Sequence, residues 1–215
     1  MKTVKFLFVL LFILSTPLQL FGRVTESAEN LLHVIHRVNR HWQENNSPQV
    51  RSFWDNAAYH TGNMEVYELT GNTAYLKYST DWAEYNHWKG AASDNKAEWR
   101  YGYGETPQYV LFGDWQCCFQ TYADLYGIRG DDRKIARARE VMEYQMGTDK
   151  NDYWWWADGL YMVMPVMTKL HRITKNPLYL EKLYEYFSYA DSVMYDPEVG
   201  LYYRDGSFVY PKHSI

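Results

Sequence analysis

The chain has 215 residues and a formal net charge of −4, from 22 basic and 26 acidic side chains. A protein with this charge balance has no large basic surface for phosphates, which argues against nucleic acid as a partner. Aromatic residues make up 18% of the chain, including 21 Tyr and 9 Trp. Such side chains either fill a large helical core or stack on the faces of sugar rings, and the composition leaves both open.

The N-terminus is predicted to be an export signal. Two lysines precede an apolar run from Phe6 to Leu14, and small and turn-forming residues follow it. The run is shorter than the about 20 residues that a membrane-spanning helix needs, so we expect cleavage near Gly22. Removal of residues 1–22 leaves residues 23–215, which is enough chain for one domain with a sizeable core. We therefore expect a secreted or periplasmic protein that is not bound to a membrane after cleavage.

Apolar residues then recur at three- to four-residue spacing in a series of segments, which predicts helices. The predicted helices cover residues 27–44, 54–69, 73–88, 114–126, 131–146, 156–174 and 177–194. In the later pairs the first helix is rich in Tyr, Met and Leu, and the second carries more charge. Helical hairpins that recur every roughly 45–60 residues, with one apolar and one charged member, predict an all-α toroid or solenoid with an inner and an outer layer.

One predicted loop, residues 89–112, is long for a compact helical domain, so we expect it to shape a site. The two cysteines that follow it, Cys117 and Cys118, are adjacent in the chain, and a disulfide between them would be strained. No CxxC or HxxxH pattern accompanies them. The sequence therefore predicts neither a metal site nor a cofactor.

Two aspartates are candidate catalytic groups. Asp158 follows three consecutive tryptophans at the start of a predicted helix, where the helix N-terminus favours the carboxylate and the neighbouring indoles favour the acid. Asp114 begins the previous inner helix beside another Trp, so both carboxylates are expected to face one cleft. Glycoside chemistry commonly uses such a pair. The alternative for each is a structural role as the N-cap of its helix.

Candidate substrate contacts come from a third cluster at the start of the second predicted helix. Trp54 offers a face for stacking, and His60 and Asn63 offer polar contacts. His87 lies in a similar setting at the end of the next helix. A lone histidine is more often structural than functional, and this alternative stays open for both histidines.

Three runs together resemble glycoside hydrolase family 105, the unsaturated rhamnogalacturonyl hydrolases. They are WDNAAYHTGNME from Trp54, GDWQCCFQTYADLY from Gly113 and WWWADGLYMVMP from Trp154. The likeness extends over nearly all of residues 27–215. It implies an (α/α)6 toroid, and because family members are much longer, this chain is expected to supply about the N-terminal half of that barrel.

The resemblance also implies a reaction, namely hydration of the C4=C5 double bond of an unsaturated uronic acid left by a polysaccharide lyase, as in pectin degradation. By analogy, Asp158 would protonate C4 and activate the water that adds at C5, and Asp114 would be the second acidic group. Trp156 and Met162 would line the sugar ring, and further contacts would come from Trp54, His60, Asn63 and His87. The implied partner is an unsaturated uronate-containing oligosaccharide.

Two other functions remain open from the sequence. One is another toroid enzyme, such as a mannan endo-hydrolase with paired aspartates or a sugar epimerase with paired histidines. The other is a non-catalytic helical solenoid that binds saccharides. Activity on an unsaturated disaccharide, and its sensitivity to replacement of Asp158, would distinguish these functions from the first.

Overall fold

The computed structural model describes residues 27–208, so the predicted signal at residues 1–22 lies outside the described part. The chain divides into two units, with the boundary in the sequence between Ser47 and Pro48. The described portion of the first unit contains helix α1, residues 27–45. No helix within residues 27–208 is long and apolar enough to cross a bilayer.

The second unit is built from helical hairpins, which confirms the predicted all-α class. Its helices are α2 (Trp54–Thr70), α3 (Thr73–Tyr85), α4 (Gly113–Gln116), α5 (Cys118–Ile128), α6 (Arg133–Met146), α7 (Ala157–Thr174) and α8 (Leu178–Met194), with one 3-10 turn at Lys96–Glu98. A two-stranded antiparallel hairpin follows, β1 (Tyr195–Asp196) and β2 (Leu201–Tyr202).

The helices lie in two layers. Helix α5 packs between α2 and α7 in one layer, and α3, α6 and α8 each pack against the helix that precedes them in that layer. The hairpin turns use the predicted signals: Gly71 ends α2 with a left-handed φ of 67°, and the Asn72 side chain accepts a hydrogen bond from the Ala74 N–H at the start of α3. The short helix α4 packs against α7, which brings the beginnings of the second and third helices of this layer near each other.

Aromatic side chains provide much of the core. The largest side chains that are fully buried belong to the hydrophobic core, and they include Trp82, Trp154, Tyr122, Tyr153, Tyr179 and Tyr186. Burying such rings contributes much of the stability of a helical domain. The high aromatic content is thus in large part a property of the core.

Two predicted helix boundaries were wrong. The helix predicted at 114–126 is divided at Cys117, which keeps helical φ and ψ but separates α4 from α5. The helix predicted at 73–88 ends at Tyr85, because His87 and Trp88 adopt positive φ values of 53° and 58°. Residues 89–112 form a loop as predicted, apart from the 3-10 turn.

Candidate active site

Asp114 and Asp158 occupy the first turns of α4 and α7, two helices that pack against each other. Asp114 is buried, with 6% of its surface exposed, whereas Asp158 is exposed. Burial, followed by the negative charge of Asp158, raises the pKa of Asp114 to about 7. The structure therefore brings the two predicted carboxylates into one electrostatic environment, in which Asp114 keeps its proton up to neutral pH.

The alternative of a capping role for these aspartates is wrong. Trp156 is the N-cap residue of α7 and Phe112 that of α4, and both aspartates lie inside their helices. One oxygen of Asp114, Oδ1, is buried and has no hydrogen-bond partner among the described residues. A buried oxygen without a partner costs free energy, which adds to the effect of burial in favouring the protonated form of Asp114.

The indole of Trp156 separates the two acid-bearing segments. It is buried at 5% exposure, and its ring centroid lies 4.9 Å from that of Phe112 and 4.9 Å from that of Trp155. A side chain at Gly113 would meet this indole at 3.0 Å, and one at Gly159 would meet it at 3.3 Å. The predicted ring-lining residue Trp156 thus packs against Gly113 and Gly159, the chain neighbours of the two aspartates.

Met162 is fixed by a hydrogen bond that the sequence analysis missed. Pro165 lies inside α7 and has no N–H, so the carbonyl of Tyr161 loses its normal partner. The Gln120 amide of α5 replaces it, donating to the carbonyl oxygens of Tyr161 at 2.9 Å and Met162 at 3.0 Å. The proline within the predicted helix indicates that one backbone carbonyl lacks its helical partner. The sequence does not indicate that Gln120 is the side chain that donates to this carbonyl.

The other predicted contacts separate into surface and interior residues. Trp54 is 44% exposed at the start of α2, and His87 is exposed in the turn after α3. Both side chains can reach a ligand. Their roles as substrate contacts stay predictions.

His60 and Asn63 lie in the interior between α2 and α3, so their placement gives them structural roles. His60 Nδ1 lies 3.0 Å from Ser79 Oγ, and the Asn63 amide donates to the same oxygen at 2.7 Å. The His60 ring stacks on Trp82 at 3.9 Å, and burial lowers the pKa of His60 to about 3. The imidazole is therefore neutral and packed, as expected for a residue on the buried face of α2.

Arg51 was not singled out from the sequence. Its guanidinium donates to the carboxylate of Glu105 in the loop, lies 3.6 Å from Asp55 Oδ2, and packs 4.5 Å from the centroid of the Phe53 ring. The charges of Asp55 and Glu105 also raise the pKa of Asp114. We refer to Arg51, Asp55 and Glu105 as the Arg51 cluster.

Cysteine chemistry does not fit this site. Cys117 and Cys118 are reduced and buried, and burial raises the pKa of the Cys117 thiol to about 12. A thiol that stays protonated is a poor nucleophile. Across residues 27–208, no His, Cys, Asp and Glu side chains cluster in a way that could hold a metal ion.

A family model for Glycosyl Hydrolase Family 88 matches residues 28–214, nearly all of the chain. The chain belongs to this family. Family 88 is related to family 105, which the sequence resemblance indicated, and the match supports the broader assignment.

Two solved structures share the fold closely. A structure described as glycosyl hydrolase family 88 from Bacteroides vulgatus is 70% identical and superposes with a TM-score of 0.84, covering 86% of this chain and 53% of the relative. A structure described as a polysaccharide lyase is 69% identical with a TM-score of 0.84, covering 87% of this chain and 53% of the relative.

A curated relative, the unsaturated 3S-rhamnoglycuronyl hydrolase of Formosa agariphila, is 26% identical over 165 residues. The match covers 73% of this chain and 41% of the relative. The chain therefore spans about half the length of the solved relatives, and less than half of the curated one.

Proposed function

We propose that this family 88 protein is an unsaturated glycuronyl hydrolase of the rhamnogalacturonyl type found in family 105. Its substrates would be oligosaccharides that a lyase has left with a terminal C4=C5 unsaturated uronic acid. Family membership and the activity in the name of the Formosa relative support this class of substrate. The observation that carries the proposal is the acid pair, with a buried Asp114 that holds a proton to about pH 7 beside an exposed Asp158.

The reaction is a hydration. A proton adds to C4 and the oxygen of a water molecule adds to C5, so that the double bond is consumed and C5 becomes a hemiketal carbon. Opening of the ring then leaves C1 as a hemiacetal, which collapses and releases the neighbouring sugar as an alcohol. The net change is addition of one water and loss of the glycosidic bond.

The different exposure of the two aspartates suggests their roles. Asp158 is the exposed member, so it is the group that can reach C4 and the attacking water as general acid and base. Asp114 is the buried member, and burial raises its pKa to about 7, so it can keep its proton near neutral pH. A neutral Asp114 can also donate a hydrogen bond to the substrate, which an ionised carboxylate cannot.

The test is Asp158→Asn. The amide keeps the size of the side chain but cannot transfer the proton, so turnover should fall by about 100-fold or more while substrate binding is retained. Turnover is measured as loss of the ultraviolet absorbance of an unsaturated disaccharide. Asp81→Asn, which changes an exposed carboxylate on α3, is the matched control and should retain the wild-type rate.

Three results would contradict the proposal. An Asp158→Asn variant that keeps most of its rate would remove Asp158 from the reaction. Rising absorbance on an intact polysaccharide would indicate a lyase, because a lyase creates the double bond that the proposed reaction consumes. Binding of saccharides without turnover in either direction would indicate the non-catalytic alternative.

A further inference from the structure

The Arg51 cluster joins three separate parts of the chain next to Asp114. Arg51 precedes α2, Asp55 lies in its first turn, and Glu105 lies in the loop at residues 89–112. Phe53, beneath the guanidinium, packs edge-on against Trp115, with 4.7 Å between ring centroids. Trp115 directly follows Asp114, so the cluster is connected to the acid pair by direct packing.

The loop at residues 89–112 is held at the Arg51 cluster by two neighbouring contacts. The Trp115 indole N–H donates to the carbonyl of Gly104 at 3.2 Å, and the next residue, Glu105, accepts from Arg51. The two contacts fix the position of the Glu105 carboxylate relative to Asp114. Asp55 Oδ2 lies 3.6 Å from the same guanidinium, so one cation contacts both carboxylates, while Asp55 Oδ1 accepts from the Asn56 N–H.

We propose that Arg51 is a positioning residue of the active site, which holds Asp55 and Glu105 beside Asp114 and balances part of their negative charge. This inference rests on the proposed function for its catalytic meaning. The charged groups that act on Asp114 are Asp158 from α7, Glu105 from the loop and Asp55 from α2. Arg51 is ion-paired with two of these three, Asp55 and Glu105, so its removal should leave Asp114 facing two unbalanced carboxylates.

Two substitutions separate this electrostatic role from a purely mechanical one. Arg51→Gln leaves the two carboxylates unbalanced, so Asp114 should release its proton at a higher pH. Glu105→Gln removes one negative charge and leaves Arg51 paired with Asp55 alone, so Asp114 should release its proton at a lower pH. Each shift should be about half a pH unit, the size expected for charges near a protein surface. If the contact between Arg51 and Glu105 only held the loop in place, either substitution would release the loop. The pKa of Asp114 would then shift in the same direction in both variants.

The measurement is a carboxyl ¹³C NMR titration of the 215-residue chain, in which the Asp114 resonance is identified by its loss in Asp114→Asn. The double variant Arg51→Gln/Glu105→Gln loses one charge of each sign and should titrate close to wild type, as should the charge-retaining Arg51→Lys. Arg133→Gln is the matched control, because Arg133 also contacts two carboxylates, Glu84 and Asp131, away from the site. It should leave the Asp114 titration unchanged.

Opposite shifts in the two single variants support the proposal, and parallel shifts or none overturn it. Circular dichroism of each variant shows whether the helices are retained. The titration requires no turnover, so absence of hydrolase activity would contradict the proposed function without affecting this result. Conversely, an unmoved Asp114 titration together with an inactive Asp158→Asn variant would refute the role of Arg51 alone.

Discussion

The raised pKa of Asp114 makes the folded protein less stable at neutral pH than it would be with a neutral residue at this position. In the unfolded chain an aspartate ionises near pH 3.9, whereas in the folded protein burial and nearby charges hold the proton until about pH 7. Between these two pH values the folded state binds one more proton than the unfolded state. The free energy of unfolding therefore falls as the pH rises through this range, and the loss is complete above pH 7.

Asp114→Asn should remove this loss. The shift is about 3 pH units and each unit corresponds to about 1.4 kcal/mol, so the variant should gain up to about 4 kcal/mol relative to wild type at pH 8. Near pH 4 both side chains are neutral and the two proteins should be about equally stable. Stabilisation by removal of an active-site group is an expected trade-off between stability and activity.

Urea unfolding followed by tryptophan fluorescence at several pH values measures this difference. The titration of His60 contributes equally to both proteins and cancels in the comparison. Asp81→Asn, at an exposed position on α3, should parallel wild type across the whole range. The reasoning is refuted if wild type and Asp114→Asn show the same pH dependence, because Asp114 would then ionise alike in both states.

Two further predictions concern other parts of the chain. His60 has a folded-state pKa lowered to about 3, so its own contribution to the free energy of unfolding should fall as the pH drops below about 6.5, where only the unfolded chain gains the proton, and this change is opposite in sign to that of Asp114. His60→Gln should be less stable than wild type at pH 7, and the difference should shrink as the pH falls, which urea titrations of the two proteins would show. We also propose that the protein is exported and that residues 1–22 are removed, so intact-mass measurement of periplasmic or secreted material should find a start near residue 23, and retention of Met1 would count against it.

The helices were predictable because their apolar spacing and their turn signals agree. Gly71 and Asn72 mark one break, and both perform the expected capping roles. The backbone at His87 and Trp88 was not predictable, because two consecutive positive φ values are rare and a bulky residue such as Trp seldom adopts one. It shortens α3 through tertiary packing rather than local preference.

The candidate site was predictable only in part. Asp114 and Asp158 are recognisable because each begins a helix beside tryptophan, but the sequence gives no indication which one is buried. His60 and Asn63 were assigned to the substrate because polar residues in an aromatic cluster look alike whether they face a ligand or Ser79. Arg51 was missed because its partner Glu105 lies 54 residues away in a loop, where no helical periodicity fixes the direction of a side chain.

The position of the Trp156 indole makes three separated positions depend on one another. A methyl group at Gly113 would lie 3.0 Å from Trp156 Cη2, and one at Gly159 would lie 3.3 Å from the same atom, so either substitution has to displace the ring by a few tenths of an ångström. The Trp156 ring contacts both helices, so it can make room for a methyl group on one of them only if the other helix shifts. Each of the two helices carries one of the carboxylates. The effects of substitutions at positions 113, 156 and 159 should therefore be epistatic. A smaller side chain at position 156 should rescue alanine at either glycine, and the distance between the Asp114 and Asp158 carboxylates should change when Trp156 is replaced.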